Sequence, residues 1–325
     1  MTTPQLQTFE WLPTECADER YPMQLISGQL TCSGAESVRV PAGKIVNNGW
    51  GEIGSRHLVG EPLKPVPEQL SVAWFSYTED QFFSGTVALP HAELTQLFRA
   101  GFKEPVTGEP VGWDKIIVGM GLGGWCSVWL AGSGRVREVV RAQLEPAELE
   151  WSKVLDNPDI SRSSFIGAKL RSRLTDVELK SHAERGPPVS TWTKYVGRYR
   201  WRILVEGVQV PLHMALRSFN GEREVYDFAR EPPPDELHTV PKQLQITWLT
   251  RGDKRLLTRI GLNEHEVFAA FDKACVAAPD APEAAAAAIL RIELGPRGRV
   301  SISVESDAGK IPLTRSIVEL RSLAG

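Results

Sequence analysis

Cysteines are few and scattered in this sequence. The four of them, Cys16, Cys32, Cys126 and Cys275, are far apart and form no Cys-x-x-Cys pair. A zinc site or the disulfide framework of a small secreted domain requires closer, paired spacing. We therefore interpret the four as small core residues of a protein from a reducing compartment.

The chain also lacks an excess of basic residues and a long apolar run. Its formal net charge of −3 supplies no overall positive field, so we expect no nucleic-acid partner. No stretch approaches the roughly 18 apolar residues of a transmembrane helix, and the N-terminal MTTPQLQTFEW has no signal-peptide pattern. We expect no membrane span and a cytoplasmic protein, or a periplasmic one if an N-terminal signal has been removed.

Patterns typical of catalytic and metal sites are missing as well. The histidines are His57, His91, His182, His213, His238 and His265. They form no HxH, HExxH or HxxxH pair, and no serine lies in a GxSxG turn. Residues 119–124 fit the GxGxxG pattern of dinucleotide sites, but the alternating WCSVWLAG follows, where such a site needs a helix N-terminus. We expect no catalytic residue, no metal and no cofactor. The adjacent carboxylates Glu79 and Asp80 are expected in a solvated turn with ordinary pKa values.

What the sequence does contain is a repeated strand pattern. Residues 66–76 read VPEQLSVAWFS and residues 240–250 read VPKQLQITWLT, so the second copy begins 174 residues after the first (240 − 66). A match of this kind predicts an internal duplication.

Similar elements follow each copy of this strand. In the first, the repeated strand forms a hairpin with a strand at 81–89 through a turn at 78–80. A helix after Pro90 and a hairpin of 115–118 with 125–130 follow. In the second, a strand at 255–260 follows a turn at 252–253, and Asn263 and Glu266 then begin a helix as a capping box. A hairpin of 289–294 with 299–304, with its turn at 295–298, comes last. The sequence therefore predicts an α+β fold of two repeated modules, each an antiparallel sheet with one packed helix.

The predicted boundaries are a first module at 1–145, a helical and basic connector at 146–197, and a second module at 198–325. Within the connector we expect helices at 147–155 and 165–185. The first module is the longer one because its interval 31–64, rich in Gly, Asn and Ser, has no counterpart. Long loops of this kind are commonly functional.

Ten tryptophans are an unusual number for this length, and three of the six unrepeated ones are candidates for a partner surface. Repeated tryptophans are most simply explained by core packing, whereas an unrepeated tryptophan on a loop offers a large contact area at small entropic cost. The connector adds a run of cations, which is either a solvated face with long side chains over apolar surface or a site for an acidic protein partner. The candidate partner-binding residues are Trp50, Asn48, Trp113, Trp192, Arg171 and Arg173.

The Tyr21-Pro22 start, the Gly49-Trp50-Gly51 loop and the run VPEQLSVAWFSYTEDQFFSGTVAL before Pro90 resemble an uncharacterised bacterial domain family. Its members are often lipoproteins, and some are similar to immunity proteins encoded beside type VI secretion effectors such as lipases. The resemblance implies a non-catalytic protein-binding protein, most concretely an immunity protein that occludes a toxin.

Other readings stay open at this point. A chaperone or adaptor for a secreted effector, or a glycan- or small-ligand-binding module, fits the same composition. An enzyme would need a deep pocket in which His213 or His238 meets carboxylates.

Overall fold

The computed structural model describes residues 7–56, 60–207, 210–230, 236–250, 254–275, 288–295 and 299–323. The chain is mainly β, with an α+β arrangement of several sheets that are largely antiparallel. It divides into two compact units. Unit 1 comprises residues 1–102 and 110–192, and unit 2 comprises residues 103–109 and 193–325.

The strands of the first half are β1 (Thr8–Glu10), β2 (Leu12–Ala17), β3 (Met23–Thr31), β4 (Val38–Arg39), β5 (Ile45–Val46), β6 (Leu63–Pro65), β7 (Gln69–Ser76), β8 (Gln81–Ala88), β9 (Phe102–Lys103), β10 (Pro110–Val111), β11 (Lys115–Met120), β12 (Trp125–Gly132), β13 (Arg135–Gln143) and β14 (Glu145–Ala147). Those of the second half are β15 (Arg198–Gly207), β16 (Val210–Ser218), β17 (Arg223–Asp227), β18 (Glu236–Thr239), β19 (Pro241–Leu249), β20 (Arg255–Gly261), β21 (Ala288–Leu294), β22 (Val300–Ser306), β23 (Gly309–Pro312) and β24 (Ile317–Ser322). The α-helices are α1 (His91–Ala100), α2 (Arg162–Arg171), α3 (Asp176–Arg185), α4 (Thr191–Tyr195) and α5 (Glu264–Ala274).

Unit 1 contains two main sets of paired strands. One has the order β4-β3-β7-β8-β14, is antiparallel, and also carries β5 beside β3. In the other, β2 pairs in parallel with β11, and β12 and β13 follow in antiparallel pairing. The predicted hairpins β7–β8 and β11–β12 are therefore confirmed.

Unit 2 contains the antiparallel order β17-β16-β19-β20-β24. A second set has the order β18-β15-β21-β22-β23, in which only β15 and β21 run parallel. The predicted hairpins β19–β20 and β21–β22 are confirmed, whereas residues 252–253 and 296–298 of their expected turns lie outside the described residues.

The helices after β8 and β20 begin where the sequence predicts. Pro90 precedes α1, which buries Leu94 and Phe98. Asn263 caps α5 by accepting a hydrogen bond from the backbone N–H of Glu266 at 3.1 Å. The reciprocal half of the capping box does not form, because the Glu266 carboxylate accepts hydrogen bonds from the backbone N–H groups of Thr314 and Arg315.

The connector differs from its predicted helices. The single helix expected at 165–185 is two helices, because Thr175 and Glu178 form a complete capping box that begins α3. The helix expected at 147–155 does not form. Residues 145–147 pair with β8 as strand β14, and a single 3₁₀ turn spans Trp151–Lys153. Here tertiary pairing and the packing of Trp151 on Phe75, at 5.3 Å between ring centroids, outweigh local helical preference.

The core of unit 1 contains a tryptophan cluster, formed by Trp50, Trp129 and Trp192, that packs against two glycines. The ring of Trp50 lies 4.9 Å from that of Trp129 and 4.3 Å from that of Trp192. A Cβ atom at Gly119 would overlap the Trp129 ring, and one at Gly121 would come within 2.9 Å of Trp192. The first two glycines of the GxGxxG run therefore leave room for indole rings, which accounts for their spacing without a nucleotide.

None of the described helices combines the length and the apolar character that crossing a bilayer requires.

Gly119→Ala should lower the stability of unit 1 by about 1–3 kcal/mol, because the new methyl group overpacks the tryptophan cluster. Gly112→Ala is the matched control, since a Cβ atom there meets nothing within 4 Å. Urea unfolding followed by tryptophan fluorescence measures both. Equal midpoints for the two variants would contradict the packing role of Gly119.

Candidate binding site

Strand β2 buries two polar side chains. Thr14 and Glu15 are each 1% exposed, beside the fully buried Cys16. β11 pairs with one edge of β2, which leaves the backbone groups of the opposite edge for other partners. Buried polar groups in native proteins are nearly always hydrogen-bonded, which makes any exception informative.

The loop at residues 47–55 lies along that opposite edge. The backbone N–H of Gly49 donates to the Ala17 carbonyl at 2.8 Å. The backbone N–H of Gly54 donates to the Thr14 hydroxyl at 2.9 Å. Asn48 contributes through its side-chain oxygen, which accepts from the Ala17 N–H at 3.3 Å. Gly54 is needed for this close approach, because a Cβ atom there would overlap the backbone of Glu15.

The carboxylate of Glu15 is only partly satisfied. Its Oε1 atom accepts hydrogen bonds from the Ser55 hydroxyl at 2.5 Å and from the Ser55 backbone N–H at 3.2 Å. Lys44 Nζ lies 4.0 Å from the same oxygen. Oε2 is buried and meets no donor among the described residues. Leaving a buried acceptor without a donor is costly, which makes this oxygen the exception among the polar atoms of β2.

A pocket of about 330 Å³ opens beside this carboxylate. Its polar lining consists of Glu15, Lys44, Asn47, Asn48, Ser55 and Arg173. A smaller hollow of about 280 Å³ continues along β2 and shares Ile53 and Ser55 with it. We call the first cavity, with these lining residues, the Glu15 pocket.

The rim of the Glu15 pocket is basic. Lys44 is exposed, and Arg173, which lies between α2 and α3, donates a hydrogen bond to the Asn47 side-chain oxygen at 2.7 Å. The Asn47 amide in turn donates to the Glu19 carbonyl at 3.1 Å, which holds this corner of the rim in place. The arrangement suits a ligand that donates a hydrogen bond to Glu15 and places a negative charge near Lys44 and Arg173.

Two of the predicted partner-binding residues, Asn48 and Arg173, line this pocket. Arg171 is exposed on the last turn of α2 and is not among the residues that line it. The assignment of all three to a partner surface stays a prediction.

The three predicted tryptophans lie in the interior instead of on exposed loops. Trp50 is 5%, Trp113 7% and Trp192 1% exposed. Trp113 packs on Phe102 at 4.8 Å between ring centroids, and Trp50 and Trp192 pack against one another with their rings tilted by 34°. The expectation of exposed rings is wrong, because each ring packs against another aromatic ring and burial of indole surface favours the interior.

Glu15, Lys44 and Ser55 were not identified from the sequence. One signal was available, since LPTECA combines a strand-like pattern with an internal Thr-Glu pair that a core strand rarely carries. The contribution of Ser55 depends on how the 47–55 loop folds, which no local pattern encodes.

Across the residues that the structure describes, no group of three or more His, Cys, Asp or Glu side chains is placed to hold a metal ion.

Outside the pocket, the pKa of Glu79 differs from the ordinary value that the sequence predicts. Burial raises the pKa of Glu79, although the backbone N–H of Gly123 opposes this by donating to it at 2.8 Å. The expectation of an ordinary pKa at this turn is therefore wrong for Glu79, because residues 122–124 cover it. Asp80 lies exposed in an ion pair with Arg162 at 2.6 Å.

Fold and site together define a mainly β, α+β protein whose first unit carries a polar pocket with a buried carboxylate at its wall. The chain belongs to the family described as "Protein of unknown function (DUF2931)", whose model matches residues 1–186. Every residue that lines the Glu15 pocket falls within the matched range. No curated protein and no solved structure matches the chain.

Ser55→Ala should lower the stability of unit 1 by about 1.5–3 kcal/mol, because it removes a hydrogen bond to a buried charged group. Ser33→Ala is a matched control. Its hydroxyl also donates to a carboxylate, that of Glu68 at 2.6 Å, but in an exposed position. A change within about 0.5 kcal/mol is expected there. Urea unfolding at pH 7 compares the stabilities of the two variants. Similar losses of stability would argue against a stabilising hydrogen bond from Ser55 to the buried Glu15 side chain.

Glu79→Gln should change how stability depends on pH. A carboxyl whose pKa is raised in the folded state contributes most below its unfolded value of about 4.3, and the contribution is lost as pH rises through the folded pKa. Wild type should therefore lose stability relative to Glu79→Gln as the pH rises above the unfolded pKa of about 4.3. Urea midpoints measured as the pH rises test it, with the exposed Glu36→Gln as control. A constant difference between wild type and Glu79→Gln would refute the assignment.

Proposed function

We propose that this chain is a non-catalytic binding protein and that the Glu15 pocket receives an acidic loop of a protein partner. The single observation that supports this most is the buried Oε2 atom of Glu15, which has no donor among the described residues. In this proposal a backbone N–H or hydroxyl group of the partner donates the missing hydrogen bond.

The charges of the rim favour an acidic partner. Lys44 is 54% exposed at its side chain and Arg173 is exposed, so both can meet a carboxylate that approaches from solvent. Such charges mainly accelerate encounter and set orientation, whereas the desolvated hydrogen bond to Glu15 slows dissociation. Exposed cations also make the affinity fall as salt increases.

The partner that we propose is a bacterial toxin, such as a lipase effector of a type VI secretion system, which the chain would inhibit as an immunity protein. Support for this finer step comes from the resemblance of residues 9–130 to a family with immunity-like members. A binding protein of this kind inhibits by covering the toxin's active site or lid. A chaperone or adaptor for the same effector would use the same surface.

We further propose that the protein acts in a reducing compartment, most simply the cytoplasm. Cys16, Cys32 and Cys126 are buried free thiols, and Cys275 is a half-buried one. Burial raises the pKa of Cys126 to about 12 and that of Cys32 to about 11, which keeps both thiols protonated and unreactive.

We also infer that units 1 and 2 descend from one duplicated module. In each unit the repeated strand lies between two antiparallel neighbours. These are β3 and β8 for β7, and β16 and β20 for β19. In each unit a helix follows, and a strand that precedes this sheet pairs in parallel with a strand after the helix. Trp74 and Trp248, at the repeated position, are both fully buried.

A second candidate function rests on the size of the pocket. A volume of about 330 Å³ lies at the lower end of small-molecule sites, so a small acidic ligand with an N–H donor, such as a free amino acid, also fits.

The double variant Lys44→Glu/Arg173→Glu should weaken binding to the protein encoded by the adjacent gene at least about tenfold, because two attractive charges become repulsive. Arg171→Glu is the matched control, since it reverses a nearby connector charge outside the pocket. Isothermal titration calorimetry with the purified neighbour measures the three affinities at two salt concentrations.

Equal losses for the double variant and for Arg171→Glu would contradict the pocket as the docking site. Absence of binding, together with failure to protect cells that express the neighbour, would remove the immunity proposal. Thermal shift with free glutamate and aspartate separates the second candidate. A stabilisation that the double variant abolishes would favour a small ligand.

A further inference from the structure

Strand β24 forms an exposed edge of the main sheet in unit 2. It follows β20 at the end of the order β17-β16-β19-β20-β24, and no other described strand pairs with its outer side. All six of its residues are exposed. An exposed edge with unpaired backbone groups is a template for pairing with another strand.

Two apolar side chains of β24 lie beside buried residues of β20 but remain partly exposed to solvent. Val318 and Leu320 lie opposite Ile260 and Thr258 of β20, and these two β20 residues are fully buried. Directly opposite residues share one face of a sheet, so Val318 and Leu320 extend the row of core residues. They nevertheless stay 38% and 42% exposed, respectively. Natural edge strands usually carry a charge or a bulge that prevents pairing, and this face of β24 has apolar groups instead.

The free backbone groups of β24 can be assigned from its pairing with β20. The N–H of Leu323 donates to the Arg255 carbonyl at 2.9 Å, so residue 323 directs its backbone groups towards β20. In an antiparallel pair this direction alternates along the strand. The N–H and C=O groups of Val318, Leu320 and Ser322 therefore face outward, ready for a further antiparallel strand.

We infer that this strand is β24 of a second copy of the chain, paired antiparallel about a two-fold axis at Leu320. The two outward-facing Leu320 residues then form a hydrogen-bonded pair, and Val318 faces Ser322 of the second copy. A contact of this type places the same surface of both copies against itself, so its side chains must be self-complementary.

The charges of β24 meet that condition. Glu319 and Arg321 are placed symmetrically about residue 320, and within one strand their side chains already approach to 2.9 Å. In the two-fold pairing, Glu319 of each copy lies opposite Arg321 of the other. Both are non-hydrogen-bonded positions, where opposing side chains come closest. Pairing therefore matches two opposite charges on one face and covers Val318 and Leu320 on the other. This inference is independent of the Glu15 pocket.

A charge-exchange experiment on the full chain tests the register. Glu319→Arg gives a strand with two cations on this face, and Arg321→Glu gives one with two carboxylates. Each variant alone should associate at least about tenfold more weakly than wild type, because like charges then lie opposite one another. An equimolar mixture of the two should recover association as a mixed dimer. Sedimentation velocity over a wide concentration range measures all four samples, and circular dichroism and urea midpoints confirm that each variant is folded.

Leu320→Lys is an independent check, because it places two ammonium groups at the axis without disturbing the hydrogen bonds to β20. It should abolish self-association and leave the fold intact. A wild-type chain that stays monomeric at every concentration would overturn the inference. So would a dimer that persists in Leu320→Lys, or a mixture of the charge variants that does not associate.

Discussion

The packing of Trp50 against Trp129 and Trp192 is the contact on which the rest of unit 1 depends. It draws the 47–55 loop down onto the sheet, and Gly119 and Gly121 permit it because they leave space above the strand and its turn. With the loop held there, its backbone N–H groups run along the edge of β2 that β11 does not use. The pocket is a consequence of this placement, since Ser55 and Asn48 reach β2 only from a loop anchored by an indole ring.

The polar side chain of Glu15 occupies a buried position that is unfavourable for stability. Glu15 is buried, and only one of its carboxylate oxygens is supplied with donors by Ser55. An apolar residue would suit the inner side of this strand better. A polar group that lacks one donor can instead gain a hydrogen bond on binding, once the pocket wall gives a donor access to the buried oxygen. In the binding that we propose, the cations at the rim would act at longer range and favour a partner of negative charge.

The two units use similar strand pairing with different additions. Unit 1 carries the loop that forms the pocket, and the last strand of its antiparallel sheet, β14, is three residues long. In unit 2 the last strand of the corresponding sheet, β24, is six residues long and exposed. If the units share an origin, the first copy gained a concave surface and the second kept a long open edge. The two proposed contacts would then differ in kind, with a pocket for a side chain or loop in unit 1 and an edge for a strand in unit 2.

The amino-acid sequence by itself determined the local elements of this protein. The strands β7, β8, β11, β12, β19 and β20 and the start of α5 were predictable because alternation, turns and capping are properties of neighbouring residues. Thr175 and Glu178 also carried a capping signal that divides the connector into two helices. Tertiary structure alone decided that Trp50, Trp113 and Trp192 are buried, that residues 145–147 form a strand, and that Glu15, Lys44 and Arg173 meet at one pocket. These outcomes depend on contacts between segments far apart in the chain, whose free energy comes from burial and pairing that no local pattern records.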